Sequence, residues 1–312
     1  MPAYKSHKSH KSNKSSKHTI KNVSNSQTQV LLGHHSLKID NKLPKQFEND
    51  DNGDGKYIPT FYIVNSPSAA SVVIHLNKNQ TVYDQKGALN YCDSAVKIET
   101  KTGGIMRGFM RALFTTESFF MTYYTGTLDE RKTVVSFASH LIGDIIGVRI
   151  KSGEKMTLSS MSFVAATTNI ELNVKTRFRN ILGGDNIFIS EASIVKSGPG
   201  SDCDGMIWLA AFGGIEHLTV PDGVSMKVDH GLFVVAKSEY NYKITSIGGL
   251  KSFMFGGEGF AMHFFGPCDI YIQSRNINHY LHFLDSRLKK SKSGGSIKAG
   301  GELLKLGFDL AK

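Results

Sequence analysis

GGLKSFMFGGEGFAMHFFGP, Gly248 to Pro267, is a glycine-led segment running into an aromatic strand, and the chain carries it in more than one copy. GGIMRGFMRALFTTESFFMTYYTG, Gly103 to Gly126, has the same order of parts; FRNILGGDNIFISEASIVKSGPG, Phe178 to Gly200, keeps the second half. The turn acid falls at Glu117, Asp185 and Glu258, 68 and 73 residues apart. A second landmark agrees. KGALNYCDSAVKIET, SMSFVAATTNIELNV and HGLFVVAKSEYNYKI place Leu89, Phe163 and Phe233 in register, 74 and 70 residues apart. A third is the turn ahead of each, at Asn77 to Asn79, Ser152 to Gly153 and Pro221 to Gly223. A fixed period of this kind marks units that cannot bury their apolar face alone and do so by stacking. Three units follow, at about 61–126, 134–199 and 206–276.

Outside the landmarks the texture is the same. FYIVN, SVVIHL, TVVSFAS, DIIGVRI, MIWLAAF, GLFVVAKS and DIYIQS are rich in β-branched and aromatic residues and bounded by Gly, Asn, Asp and Ser. They are too short for helices and predict strands. Helical periodicity is sparse before the last dozen residues, where Leu303, Leu304, Leu306, Phe308 and Leu310 allow a short terminal helix or coil. The predicted fold is all-β: a three-repeat antiparallel sandwich or prism-like body. Each phenylalanine buried at a landmark contributes roughly 1.5–3 kcal/mol, so the body needs neither metal nor disulfide.

The expected organisation is a disordered Lys/Ser/His-rich tail and polar connector over 1–56, one β domain over 57–284, and a basic tail over 285–312. KSHKSHKSNKSSKH, Lys5 to His18, has no apolar residue with which to offset the entropy of ordering. The formal charge of +10 resides at the ends: Met1 to Asn22 holds six lysines and no acid, and Asp285 to Lys312 holds seven basic and three acidic residues. The stretch between is formally neutral. No window has the roughly twenty apolar residues of a spanning helix; Leu141 to Ile150 comes nearest and contains Gly143, Asp144, Gly147 and Arg149. No apolar run follows the N-terminal lysines and no arginine occurs in the first sixty residues. Neither a secretory nor a transit signal is expected, and the cytoplasm or another reducing compartment is the expected location. Cys92, Cys203 and Cys268 are scattered, and read as small apolar residues in or near strands. Asp50, Asn52, Asp54 and Gly55 imitate a calcium loop, but its twelfth position is Phe61.

No catalytic constellation emerges. Glu117, Asp185 and Glu258 each precede a strand in a turn, where an acid accepting backbone N–H bonds is structural; a polar ring near the repeat axis or an oligomer contact is the alternative. Gly183, Gly184, Gly256, Gly257 and Gly259 lack the G-K-[ST] ending of a phosphate loop and read as turn glycines. His279 and His282, three apart, find no further ligand nearby, and His230 has no nucleophile elbow to serve. No cofactor or metal is expected, and the chain reads as a non-enzyme. Lys5, Lys8, Lys11, Lys14, Lys17 and Lys21 offer weak contacts to nucleic acid or an anionic membrane through counterion release, without base-specific stacking.

GGLKSFMFGGEGFAMHFFGPCDIYIQSR, Gly248 to Arg275, with GVSMKVDHGLFVVAKSEYNYKI before it, resembles the altered inheritance of mitochondria family, whose bacterial and archaeal relatives are uncharacterised. The resemblance spans about Phe61 to Arg275. It implies a tryptophan-RNA-binding-attenuator-like β fold, frequent oligomerisation and, for mitochondrial members, a role in organising the inner membrane. It carries over no catalytic residue. The excess of lysine over arginine, 29 to 8, points to an AT-rich genome: a protist, a low-GC bacterium or a large DNA virus. The leading functional expectation is a non-enzymatic structural scaffold, associated with a membrane or a larger assembly, that self-associates as a homo-oligomer through its β body. A nucleic-acid or anionic-surface binder acting through the tails, and a small-ligand or enzymatic module with a pocket at the repeat turns, are the alternatives.

Overall fold

Short β-branched and aromatic runs separated by turn residues become strands throughout the chain. The computed structural model describes residues 28–32, 35–40, 57–84, 87–102, 120–179, 186–246 and 260–292. A hairpin comes first, β1 (Thr28–Leu32) and β2 (His35–Asp40). The first unit holds β3 (Thr60–Val64), β4 (Ser71–Leu76), β5 (Thr81–Asp84), β6 (Leu89–Cys92), β7 (Val96–Thr102) and β8 (Phe120–Gly126). The second holds β9 (Thr133–Ala138), β10 (Ile145–Ile150), β11 (Lys155–Ser159), β12 (Phe163–Thr167), β13 (Ile170–Arg179) and β14 (Asn186–Ile194). The third holds β15 (Gly205–Ala210), β16 (Ile215–Val220), β17 (Ser225–Asp229), β18 (Phe233–Lys237), β19 (Tyr242–Ser246) and β20 (Phe260–Phe265). A surplus first strand, β21 (Cys268–Gln273), and helix α1 (Ile277–Lys292) follow.

The three units share one wiring. The sixth strand lies between the third and fifth, as β5·β8·β7, β11·β14·β13 and β17·β20·β19. The first strand of the next unit lies between the second and fourth, as β4·β9·β6, β10·β15·β12 and β16·β21·β18. Every ladder is antiparallel. The expected turn landmark is one device used three times. Gln80 N–H bonds Asn77 C=O, Glu154 N–H bonds Lys151 C=O, and Val224 N–H bonds Pro221 C=O. The third residue of each turn has positive φ: Asn79 at 65°, Gly153 at 86°, Gly223 at 74°. Asparagine and glycine are the residues that tolerate that region.

The two halves of each unit face each other across apolar side chains, giving three clusters. The first gathers around Phe61, Leu76, Tyr124, Phe137 and Trp208, the second around Tyr83, Leu158, Phe163 and Leu209, the third around Phe233, Met262 and Phe264. Each unit, completed by the first strand of the next, thus closes as a sandwich over its own apolar cluster.

Two features depart from the sequence-based expectation. The hairpin β1–β2 falls within the stretch expected to be tail and polar connector. β2 adds to β16, with His217 opposite Asp40 and Leu218 opposite Ile39; an available sheet edge outweighs polar local composition. Helix α1 crosses the boundary expected at 284/285. Its first half, INHYLHF, is poor in strong helix formers, so tertiary contacts at its start compensate. The Asn276 Oδ1 accepts from the N–H of Asn278 at 2.9 Å, an N-cap, and the Asn276 Nδ2 donates to Asp229 at 3.0 Å. The terminal helix considered over 303–310 lies outside the described residues.

Trp208, wholly buried, meets Phe61 edge to face with ring centroids 5.4 Å apart. Trp208→Ala is expected to cost about 3–5 kcal/mol, read from the denaturant midpoint and slope; a loss below about 1 kcal/mol would contradict this core.

Candidate functional site

The landmark residues Leu89, Phe163 and Phe233 open the fourth strand of each unit, and each sits at the same β-bulge. Register slips between Leu89 and Tyr91 on β9, between Phe163 and Ala165 on β15, and between Phe233 and Val235 on β21. A bulge bends the strand and raises its twist, turning the far edge of the fourth strand towards the preceding unit. There it meets that unit's third strand. β12 pairs with β5 through Ala165–Asp84, Ala166–Tyr83 and Thr167–Val82. β18 pairs with β11 through Val235–Leu158, Ala236–Thr157 and Lys237–Met156. These seams make two continuous sheets, β10-β15-β12-β5-β8-β7 and β1-β2-β16-β21-β18-β11-β14-β13.

Side chains reinforce both seams. Tyr83 donates its hydroxyl to Ile170 C=O at 3.1 Å and stands 5.8 Å from Phe163, ring to ring. Thr157 and Ser238 share a hydroxyl bond of 2.9 Å, and Lys237 reaches Glu154 at 3.4 Å.

By the same rule the third seam would join β6 to β17, and no such ladder occurs among the described residues. β6 ends the sheet β3-β4-β9-β6 and β17 ends the sheet β17-β20-β19. The exposure follows. β12 is buried along its whole length and β18 over its first four residues. In β6, Leu89 is 37% and Tyr91 55% exposed. Transferring the register of the two formed seams sets Tyr91 opposite Val228 and Cys92 opposite Lys227. The site is thus a pair of complementary strand edges, each ending its own sheet among the described residues.

One buried residue was not singled out in the sequence. Asp84 stands five residues before Leu89, as Leu158 stands before Phe163 and Val228 before Phe233, so an acid occupies a position that is apolar in the other two units. Aligning the units on their bulges reveals it; searching for catalytic pairs does not. Tyr124 donates its hydroxyl to Asp84 Oδ2 at 3.1 Å, while Oδ1 is buried with no partner among the described residues.

The acids Glu117, Asp185 and Glu258, the glycines Gly183, Gly184, Gly256, Gly257 and Gly259, and the six tail lysines all lie outside the described residues. His230 Nδ1 is 2.9 Å from Phe260 C=O, a structural contact. His279 stands at the rim of an open cleft of about 610 Å³ with Phe212, Asp229 and Tyr280. Between the turns of units two and three, Met161, Ser162, His230 and Gly231 help line a cavity of about 40 Å³. That is far below the roughly 300–1,000 Å³ of an ordinary ligand pocket. Among the described residues no three His, Cys, Asp or Glu side chains gather as a metal set, and no helix is long and apolar enough to cross a membrane.

Burial raises Asp84 from 3.8 to about 7, against the opposing pull of the Tyr124 hydroxyl bond. Over that interval the folded chain holds a proton that the unfolded chain releases. The contribution of Asp84 to stability is therefore greatest below the lower value, falls as pH rises through the interval, and levels off above about 7. Asp84→Asn, which keeps an acceptor for Tyr124, is expected to flatten that decline and raise the melting temperature at pH 8. A variant with the parent's pH profile would show that Asp84 is not buried as an acid.

Comparison with known proteins gives a consistent picture. An uncharacterised protein of Streptococcus pyogenes serotype M6 is 26% identical over 242 residues, covering 75% of this chain and 92% of the relative. A crystal structure of a Streptococcus pyogenes protein superposes with a TM-score of 0.56 at 25% identity, covering 73% of this chain and 98% of the other. The family described as mitochondrial biogenesis AIM24 matches residues 61–275, from the start of the first unit to the end of the third. With its three units inside that match, the chain belongs to the AIM24 mitochondrial biogenesis family.

Proposed function

We propose that the protein is a non-enzymatic scaffold that self-associates through its β body, with β6 of one copy adding to β17 of the next. One observation carries this: the same two strand positions pair at both internal seams, while β6 and β17, which hold those positions in units one and three, have no ladder on that edge among the described residues. Unpaired strand edges invite pairing with another chain. Here the invitation is specific, because the partner edge, direction and register are those the chain already uses within itself. The contact is heterologous, joining head to tail, so it closes into a ring or continues as a filament according to the rotation per copy. Tyr91 and Leu89 supply apolar area that an added strand would cover.

Lys227→Cys with the native Cys92 tests it directly. Directly opposed residues of an antiparallel pair lie about 4.5–5.5 Å apart at Cα, within reach of a disulfide. Mild oxidation is expected to give a ladder of crosslinked species whose linked peptide maps to positions 92 and 227. A 92–227 link confined to single chains would mean that the third seam closes intramolecularly, and would overturn the proposal. So would a strict monomer by light scattering at every concentration.

A further inference from the structure

The two formed seams also show where the side chains of an incoming fourth strand go. Directly after Phe163, β12 carries Val164 and Ala165; directly after Phe233, β18 carries Val234 and Val235. Val164 and Ala165 belong to the apolar cluster of unit one, and Val234 and Val235 to that of unit two. All four are buried. Each formed seam thus closes the preceding unit's core with a dipeptide from the next unit, while the following alanines, Ala166 and Ala236, turn back to their own unit's cluster. In β6 the corresponding dipeptide is Asn90–Tyr91, exposed at both residues, and Cys92 packs against its own unit's cluster as the two alanines do. The receiving edge matches. Met226 and Lys227 of β17 are half-buried and exposed, where Met156 and Thr157 of β11, and Val82 and Tyr83 of β5, are buried. Among the described residues eight partly buried apolar side chains flank the third cluster, against three at the first and two at the second. The third core is the one with no such dipeptide over it among the described residues.

Chemistry at the equivalent positions sets the strength of a β6·β17 join. Tyr91 stands where Ala165 and Val235 stand, and an aromatic ring brings a larger area to an apolar cluster while its hydroxyl keeps to the wet rim. Asn90 stands where Val164 and Val234 stand. Its Nδ2 donates to Ser71 Oγ at 3.1 Å in the single chain, and covering a polar amide is costly wherever its hydrogen bonds are not all kept. Lys227 stands where Tyr83 and Thr157 stand, and a lysine on a strand edge opposes permanent pairing. One residue of the three strengthens the join and two weaken it.

We infer that the contact between copies is a weakened version of the internal seams, made to form and dissociate: Tyr91 of one copy enters the third apolar cluster of the next, while Asn90 and Lys227 limit its strength. The inference rests on the strand-edge reading and assigns that site its anchor and its reversibility. Sedimentation equilibrium of the full chain tests it. Tyr91→Ala is expected to raise the dissociation constant about tenfold or more at unchanged melting temperature in dilute protein, because the side chain is exposed in the single chain. The double variant Asn90→Val, Lys227→Thr, which restores residues found at the formed seams, is expected to lower it by about tenfold or more. The crosslink between positions 92 and 227 separates the two possible failures. Crosslinking between chains, with Tyr91→Ala or the double variant associating as the parent does within about twofold, would leave the strand pairing in place and overturn the inference. Absence of any link between chains would remove the pairing itself and the inference with it.

Discussion

Everything in this molecule is arranged around one backbone pairing, the antiparallel ladder between the third strand of one unit and the fourth strand of the next. Buried N–H and C=O groups require partners, and a single sandwich of this design has an open edge on each half. Joining β5 to β12 and β11 to β18 satisfies both internal edges and fuses the facing sheets of neighbouring units. The bulges at Leu89, Phe163 and Phe233 direct that join. They bend each fourth strand at the same residue, and so fix which edge each unit presents to its neighbour.

Those three residues were legible in the sequence because their role is local. Bulge, preceding turn and strand recur with the same composition, and the positive-φ positions Asn79, Gly153 and Gly223 reappear where the turn landmark placed them. The open edges were not legible in the same way. Tyr91, Ala165 and Val235 are all plausible strand residues, and only the pairing beyond them separates the exposed one from the buried two. Asp84 escaped for a related reason. An isolated acid in TVYD looks like a surface residue until the register puts it opposite Ala165 inside a seam. Helix α1 was obscured by the Asn, His, Tyr and Phe of its first half, and its capping contact with Asp229 comes from a strand 47 residues earlier. The hairpin β1–β2 likewise depends on β16, far along the chain.

The edges of β6 and β17 offer backbone hydrogen bonds in a defined register, which select a strand. Asp84 sits at the formed seam between units one and two, so pH bears on the unit junction itself and not only on global stability.

Amide hydrogen exchange across a range of protein concentrations tests the seam rule most directly. In dilute protein, the amides of β6 facing away from β9 and those of β17 facing away from β20 should exchange much faster than their counterparts in β12 and β11, and they should slow as concentration rises. Equal protection of β6 and β12 at the lowest concentration would contradict the account.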